Sequence, residues 1–165
     1  MNESTIKNTA YIDGANLHHG IESLGWKLDY ARFRVWLRDK YKVETAYVFI
    51  GLIPRYKDLY EYFQRCGYVL VFKEVIFDGE GKAKGNCDAD LVLHAVRDVF
   101  ENVDSKVVIV SSDGDYSGLV KFLIEKERLL SILSPHAKNL CSLLLKRTGA
   151  PIVYLGDKKR ILVKP

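Results

Sequence analysis

Short apolar runs alternate with amphipathic segments along the chain, and this alternation limits the possible folds more than any other feature of the sequence. The run Val107-Val108-Ile109-Val110 is apolar at every position, as expected of a strand that is buried on both faces. The segment Ala31–Tyr41 places Phe33 and Leu37 at helical spacing. Strands that alternate with helices predict an α/β fold, a three-layer α/β/α sandwich around a mainly parallel central sheet.

The same patterns give approximate bounds for the elements. Six strands are predicted, at Ala10–Ile12, Glu44–Gly51, Tyr68–Ile76, Lys106–Ser111, Leu129–Leu133 and Ile152–Leu155. Five helices are predicted, at Ala31–Tyr41, Pro54–Cys66, Asp88–Phe100, Tyr116–Lys126 and Asn139–Arg147. Residues 77–86 are predicted to form an exposed polar loop. We expect a single domain over residues 1–165, with a core at about 9–155 and a basic tail at 156–165, whose apolar end packs on its own sheet or on a second subunit of a homodimer.

Composition excludes several classes of protein. With 48% hydrophobic and 28% charged residues among 165, the chain is neither disordered nor fibrous. No apolar run approaches the roughly 20 residues that span a bilayer, and the first residues lack a signal-peptide core. Three cysteines without a C-x-x-C pair are typical of a reducing compartment. We therefore expect a cytoplasmic protein with no membrane partner, whose net charge of +4 permits a polyanionic partner without requiring one.

Acidic residues follow two of the predicted strands. Asp13 and Asn16 come after the first strand; Ser111 ends the fourth strand, and Asp113 and Asp115 follow it. The carboxyl ends of parallel strands meet at one edge of a sheet, where such folds bind their ligands. We expect the first and fourth strands to be neighbours, so that Asp13 and Asp113 meet there.

A third acidic position opens a predicted helix. Asp88 shares a helical stripe with Val92, Ala95 and Val99, and this apolar stripe must face the sheet. Asp90 lies about 200° away at roughly 100° per residue. We therefore expect Asp88 to point inward, towards the same strand ends, and Asp90 to point to solvent.

Clustered carboxylates favour a hard divalent cation, because their mutual repulsion needs to be offset. Mg²⁺ or Mn²⁺ held by oxygen ligands activates water and binds phosphate, which predicts metal-assisted hydrolysis of a phosphodiester. Each motif also has a structural interpretation. Asp13-Gly14 is a common turn dipeptide, and Asp115 is a natural helix cap. The convergence of three separate positions favours the metal site.

The three motifs together resemble a known family. The segments are Tyr11-Ile12-Asp13-Gly14-Ala15-Asn16-Leu17, Lys84-Gly85-Asn86-Cys87-Asp88 and Val108-Ile109-Val110-Ser111-Ser112-Asp113-Gly114-Asp115-Tyr116. In order and spacing they resemble NYN domains, the LabA-like branch of the PIN-like nuclease superfamily. This resemblance implies a PIN-like fold and a Mg²⁺- or Mn²⁺-dependent ribonuclease, expected to be an endoribonuclease.

The resemblance also assigns roles to the residues that match it. Asp13, Asp88 and Asp113 would hold the metal, and Asp115 would complete the acidic ring. Asn16 would orient a water or the phosphate. Ser111 would support the ring from behind without touching the metal.

Basic residues near these motifs are candidates for contact with an RNA substrate. They are Lys82, Lys84, His18 and Lys138, and each has the alternative of an ordinary solvated side chain. Tyr116 is expected to pack beneath its helix, and the sequence locates no platform for stacking bases.

Two other function classes are alternatives to the nuclease. A non-catalytic RNA-binding or regulatory adaptor could retain the same acidic pocket. Other phosphate-handling enzymes lack support, because Asp13-Gly14-Ala15 is not the Asp-x-Asp of a haloacid-dehalogenase-type phosphatase, and no glycine-rich nucleotide loop is present.

Overall fold

The protein is described as a computed structural model that covers residues 6–84 and 87–165, without the side chains of residues 83 and 84. Its strands are β1 (Asn8–Asp13), β2 (Val43–Leu52), β3 (Val69–Glu74), β4 (Ile76–Phe77), β5 (Ala83–Lys84), β6 (Val107–Val110), β7 (Leu129–Ser134) and β8 (Ile152–Tyr154). Its α-helices are α1 (Gly14–Ser23), α2 (Tyr30–Tyr41), α3 (Lys57–Arg65), α4 (Asp88–Glu101), α5 (Ser117–Glu125), α6 (Leu143–Lys146) and α7 (Lys159–Leu162). None of the described helices is both long and apolar enough to cross a bilayer.

Six strands form one sheet in the order β3-β2-β1-β6-β7-β8. Every neighbouring pair in it is parallel, as the sequence predicts. The chain builds outward from β1 on one side and then crosses to β6 on the other, so β1 and β6 flank the point where the strand order reverses. Ile12 lies opposite Val110 in that pairing, which confirms that the first and fourth predicted strands are neighbours.

Each face of the sheet carries its own apolar core. Ala10 and Ile12 of β1 face the layer of α1 and α2, whereas the intervening Tyr11 faces α4 and α5. This alternation follows from the two-residue period of a strand. The predicted three-layer α/β/α sandwich is therefore confirmed.

The first helix was not predicted from the sequence. α1 begins at Gly14, directly after the last residue of β1. The exposed His18 and His19 interrupt its apolar pattern, and no linker separates it from the strand.

The predicted helix at Asn139–Arg147 is largely wrong. Only Leu143–Lys146 is α-helical. The Ser142 N–H donates to the carbonyl of Ser112 over 3.1 Å, and the Ser142 side chain caps the short helix by accepting from the Leu144 N–H. A tertiary hydrogen bond therefore takes the place of a longer helix.

The predicted loop at residues 77–86 is partly regular. β4 and β5 pair antiparallel as a small hairpin, and the Asp78 side chain accepts hydrogen bonds from the backbone N–H groups of Glu80 and Lys82 in its turn. The predicted strand Tyr68–Ile76 accordingly divides into β3 and β4. Residues 85 and 86 lie outside the described part of the chain.

The C-terminal segment packs on its own domain. Leu162 is fully buried in the core on the α1 and α2 side. Val163 forms a β-bridge with Leu28, and the Lys164 N–H donates to the carbonyl of Lys27 over 2.8 Å. The segment thus joins the core through Leu162. The homodimer remains a prediction.

Candidate metal centre

Three aspartates from distant parts of the chain meet at the carboxyl edge of the sheet. Asp13 ends β1, Asp113 follows β6, and Asp88 is the first residue of α4. One carboxylate oxygen from each lies within 4.8 Å of those from the other two, and all three residues are half-buried. The sequence-based expectation that these residues converge on one sheet edge therefore agrees with the geometry.

The position of Asp13 is fixed by the start of α1. Its Oδ1 accepts a hydrogen bond from the Asn16 N–H over 3.0 Å, as an N-cap does. Burial raises the pKa of the Asp13 carboxyl above its ordinary value, and the nearby charges of Asp88 and Asp113 raise it as well. The Asn16 N–H acts in the opposite direction. A bound cation would favour the ionised carboxylate.

Tyr116 lies beneath the three carboxylates. Its hydroxyl donates to Asp88 Oδ1 over 2.7 Å and lies 3.2 Å from Asp13 Oδ2, while its side chain is 1% exposed. Burial and the two neighbouring carboxylates raise the pKa of this phenol, so it stays neutral and able to donate. The expected packing beneath the helix is observed, but the hydroxyl also holds two ligand candidates side by side, which the sequence did not indicate.

Asp113 is held by the turn that follows β6. Its N–H donates to the Oγ of the fully buried Ser111 over 3.1 Å, and its Oδ1 accepts from the Asp115 N–H over 2.9 Å. Ser111 thus supports the turn that carries Asp113, while its role behind a metal site stays a prediction. Asp115 is exposed and is not one of the three clustered aspartates. Asp90 is half-buried rather than directed fully to solvent.

Asn16 belongs to a polar network that connects three elements. Its Oδ1 accepts from both the N–H and the Oγ of Ser112 over 2.9 Å, and the same Oγ contacts His136 Nδ1. A backbone N–H can only donate, so the atom it meets must be the amide oxygen. Within the described part of the chain the Asn16 NH₂ has no hydrogen-bond partner, which suits it to donate to a water or to a phosphate oxygen.

Two members of this network, Ser112 and His136, are not among the residues predicted from the sequence. Burial, and to a smaller extent His19, lowers the pKa of His136, so its imidazole is neutral near pH 7. His136 follows the end of β7 at the same sheet edge, so the strand-end rule could have found it. Ser112 lies inside the third motif, next to Asp113, but no functional role was predicted for it.

The set of donors suits a hard cation. Among the described residues, the group that could hold an ion here supplies three carboxylates and no thiolate or imidazole, which favours Mg²⁺ or Mn²⁺ over zinc or copper. Burial is the main cause of the raised pKa of the Asp13 carboxyl, and the charges of Asp88 and Asp113 add to it.

A model of one protein family matches most of this chain. The model of the NYN domain aligns with residues 9–147. The chain belongs to the NYN domain family. No protein of curated function is significantly similar to it in sequence.

The fold of this NYN domain also occurs in a solved structure. A crystal structure of a protein of unknown function from Vibrio parahaemolyticus RIMD 2210633 superposes with a TM-score of 0.78. The two are 21% identical, over 99% of this chain and 100% of the other. At this identity the likeness shows the fold alone.

A cavity of about 930 Å³ opens on the aspartates of this NYN domain. It extends from Asp13, Asp88 and Asp113 past the end of β2 to α3. Among the predicted substrate residues, His18 lines it, whereas Lys82 and Lys138 are exposed elsewhere. The side chain of Lys84 lies outside the described residues.

A second group of possible metal ligands lies on α1. His18, His19 and Glu22 are exposed and place their ligand atoms within 4.8 Å of one another. The Glu22 carboxylate lies 3.8 Å from His18 Nε2 and 4.0 Å from His19 Nδ1. Any measurement of metal binding to this NYN domain has to separate this group from the aspartates.

Proposed function

We propose that this NYN domain is a Mg²⁺- or Mn²⁺-dependent ribonuclease that hydrolyses internal phosphodiester bonds of RNA. The observation that supports this most is the meeting of Asp13, Asp88 and Asp113 at the strand-order reversal. We also assign the chain to the LabA-like branch, on the three motifs, and to the cytoplasm, on its free cysteines Cys66, Cys87 and Cys141.

The residues around the cluster have separate tasks in this proposal. When bound, the divalent cation would activate water and offset charge on the phosphate. Asp13, Asp88 and Asp113 would hold it at the sheet edge. The Asn16 NH₂ would donate to a phosphate oxygen or to the attacking water. The Tyr116 hydroxyl would hold the carboxylates of Asp13 and Asp88 side by side. It would stay protonated throughout.

The proposal is tested with a 5′-labelled RNA oligonucleotide and either Mg²⁺ or Mn²⁺. We expect Asp113→Asn to lower the cleavage rate by roughly 100-fold or more, since even partners of metal ligands commonly contribute 10- to 100-fold. Asp104→Asn is the matched control, because Asp104 is an exposed turn residue and the substitution changes the charge equally. Internal fragments would show an endonuclease.

Three outcomes would count against the proposal. Equal cleavage by Asp113→Asn would show that the activity arises elsewhere. RNA binding without cleavage under any divalent ion would favour the adaptor. In a Mn²⁺ titration, binding that disappears in a His18→Ala, His19→Ala double variant and persists in Asp113→Asn would move the metal to α1.

A further inference from the structure

The far half of the cavity is lined by exposed aromatic and aliphatic side chains. Tyr56, Leu59 and Tyr62 line it and remain 40%, 42% and 39% exposed. They lie on the turn before α3 and on α3 itself, and their cavity also holds the three aspartates. A substrate held at the aspartates therefore has an exposed aromatic wall within the same cleft.

The wall is held in place by hydrogen bonds and ring packing. The Tyr60 hydroxyl donates to the carbonyl of Gly51 and accepts from the N–H of Ile53, both over 3.1 Å. Its ring also packs edge-on against Phe72 at 4.9 Å. These contacts fix the turn and the first part of α3 against β2 and β3, so the exposed rings lie on a rigid support.

Cationic side chains lie beside one of these rings and elsewhere along the same cavity. The Arg55 guanidinium lies 4.9 Å from the centre of the Tyr56 ring. Lys27 and Lys164 line the cavity, and both are exposed. Aromatic rings bordered by cations are the combination that binds single-stranded nucleic acid, because the rings stack on bases and the cations attract the backbone.

From this arrangement we propose that the cleft between α1 and α3 seats unpaired bases of a single-stranded RNA whose phosphate backbone reaches the aspartates. The proposal rests on the ribonuclease function and adds its substrate class. A paired base in a duplex already stacks on its neighbours and presents no free face to Tyr56 or Tyr62. The protein would therefore select RNA whose bases are unpaired, whatever the nucleotide sequence.

The test measures binding separately from cleavage. All proteins in this test carry Asp113→Asn and are measured with Mg²⁺. The affinity for a fluorescently labelled, unpaired RNA 10-mer is measured for the protein with Tyr56 intact and for the protein that also carries Tyr56→Ala. We expect about a 10-fold loss, since stacking on one aromatic side chain contributes about 1–3 kcal/mol per base. Tyr56→Phe keeps the ring and should retain the affinity. Phe100→Ala, which removes a 68% exposed ring on α4 outside the cleft lining, should also retain it.

The ligand supplies the second control. A 10-mer with abasic sites keeps every phosphate and loses the bases, so we expect it to bind about as weakly as RNA binds Tyr56→Ala. The same RNA in a duplex should also bind weakly. DNA of the same sequence binding equally well would still support the proposal, because DNA carries the same stacking faces.

Equal affinities for intact and abasic RNA would overturn the proposal, as would an unchanged affinity in Tyr56→Ala or tight binding of the duplex. Capture of an apolar peptide with no RNA binding would overturn it in favour of a protein partner. Because binding is measured without turnover, a protein that stacks RNA but never cleaves it would refute the nuclease and leave the base-binding cleft standing.

Discussion

Tyr116 gives the clearest prediction at the scale of single residues. Tyr116→Phe removes the hydroxyl that contacts both Asp88 and Asp13 and keeps the buried ring. We expect metal affinity and cleavage rate to fall by about 10- to 100-fold, with part of the rate recovered at saturating Mn²⁺.

Tyr11→Phe provides the matched comparison. Its hydroxyl donates to Asp98 over 2.6 Å on the same face of the sheet but away from the cluster. The loss of one buried hydrogen bond should affect stability alone. If both variants lowered Mn²⁺ affinity equally, Tyr116 would have no special role in positioning the ligands.

The charge of Asp13 yields a prediction about pH. Its pKa is raised in the folded protein, so the native state holds the proton to a higher pH than the unfolded chain does. Without metal, the free energy of unfolding should therefore fall as pH rises from the unfolded pKa through the raised one.

Asp13→Asn removes this loss and retains a side-chain oxygen to cap α1. Thermal unfolding at neutral pH in EDTA should show a higher midpoint for the variant. Excess Mg²⁺ should stabilise the wild type more than the variant. A variant that melts lower than the wild type in EDTA would contradict the raised pKa.

At the scale of elements, α1 depends on one glycine for its close approach to the loop after β7. A Cβ added at Gly20 would lie 2.5 Å from Pro135 Cβ and 2.9 Å from His136 Nδ1. We expect Gly20→Ala to push α1 away and to destabilise the protein by about 1–3 kcal/mol, as overpacking does. It should also disturb the Asn16, Ser112 and His136 network and so lower activity.

Gly118 is the control for that substitution. It lies exposed on α5, and an added Cβ would meet nothing within 4 Å. Gly118→Ala should be neutral or stabilise the protein by up to about 1 kcal/mol, because alanine loses less backbone freedom than glycine on forming a helix. Chemical denaturation of both variants measures the difference, and similar effects at the two positions would argue against the tight approach of α1.

At the scale of the whole molecule, the sheet and the acidic cluster were predictable, because strand periodicity and strand ends are local patterns. The apolar run Val107–Val110 predicted a buried strand, and Asp113 could be placed at the sheet edge because it comes just after that strand. α1 was missed because it starts without a linker, and the helix at Asn139–Arg147 was overextended because a tertiary bond at Ser142 overrides local propensity.

The aromatic wall was beyond sequence reasoning for a different reason. In the sequence, nothing distinguishes Tyr56 and Tyr62 from ordinary turn and helix residues. Whether they share a cavity with Asp13 depends on how α3 packs beside β2. The Tyr116 hydroxyl likewise contacts Asp13 and Asp88 only because the fold brings together residues that are far apart in the chain. Such relations are set by tertiary packing and leave no local pattern.

The pairing of β1 with β6 has a consequence for synthesis on the ribosome. Asp13 is translated before Asp113, and the two meet only after β6 has been made and has docked beside β1. A chain that ends before β6 lacks Asp113, so we expect it to bind no divalent cation at this edge of the sheet and, under the proposed function, to leave the message being translated intact.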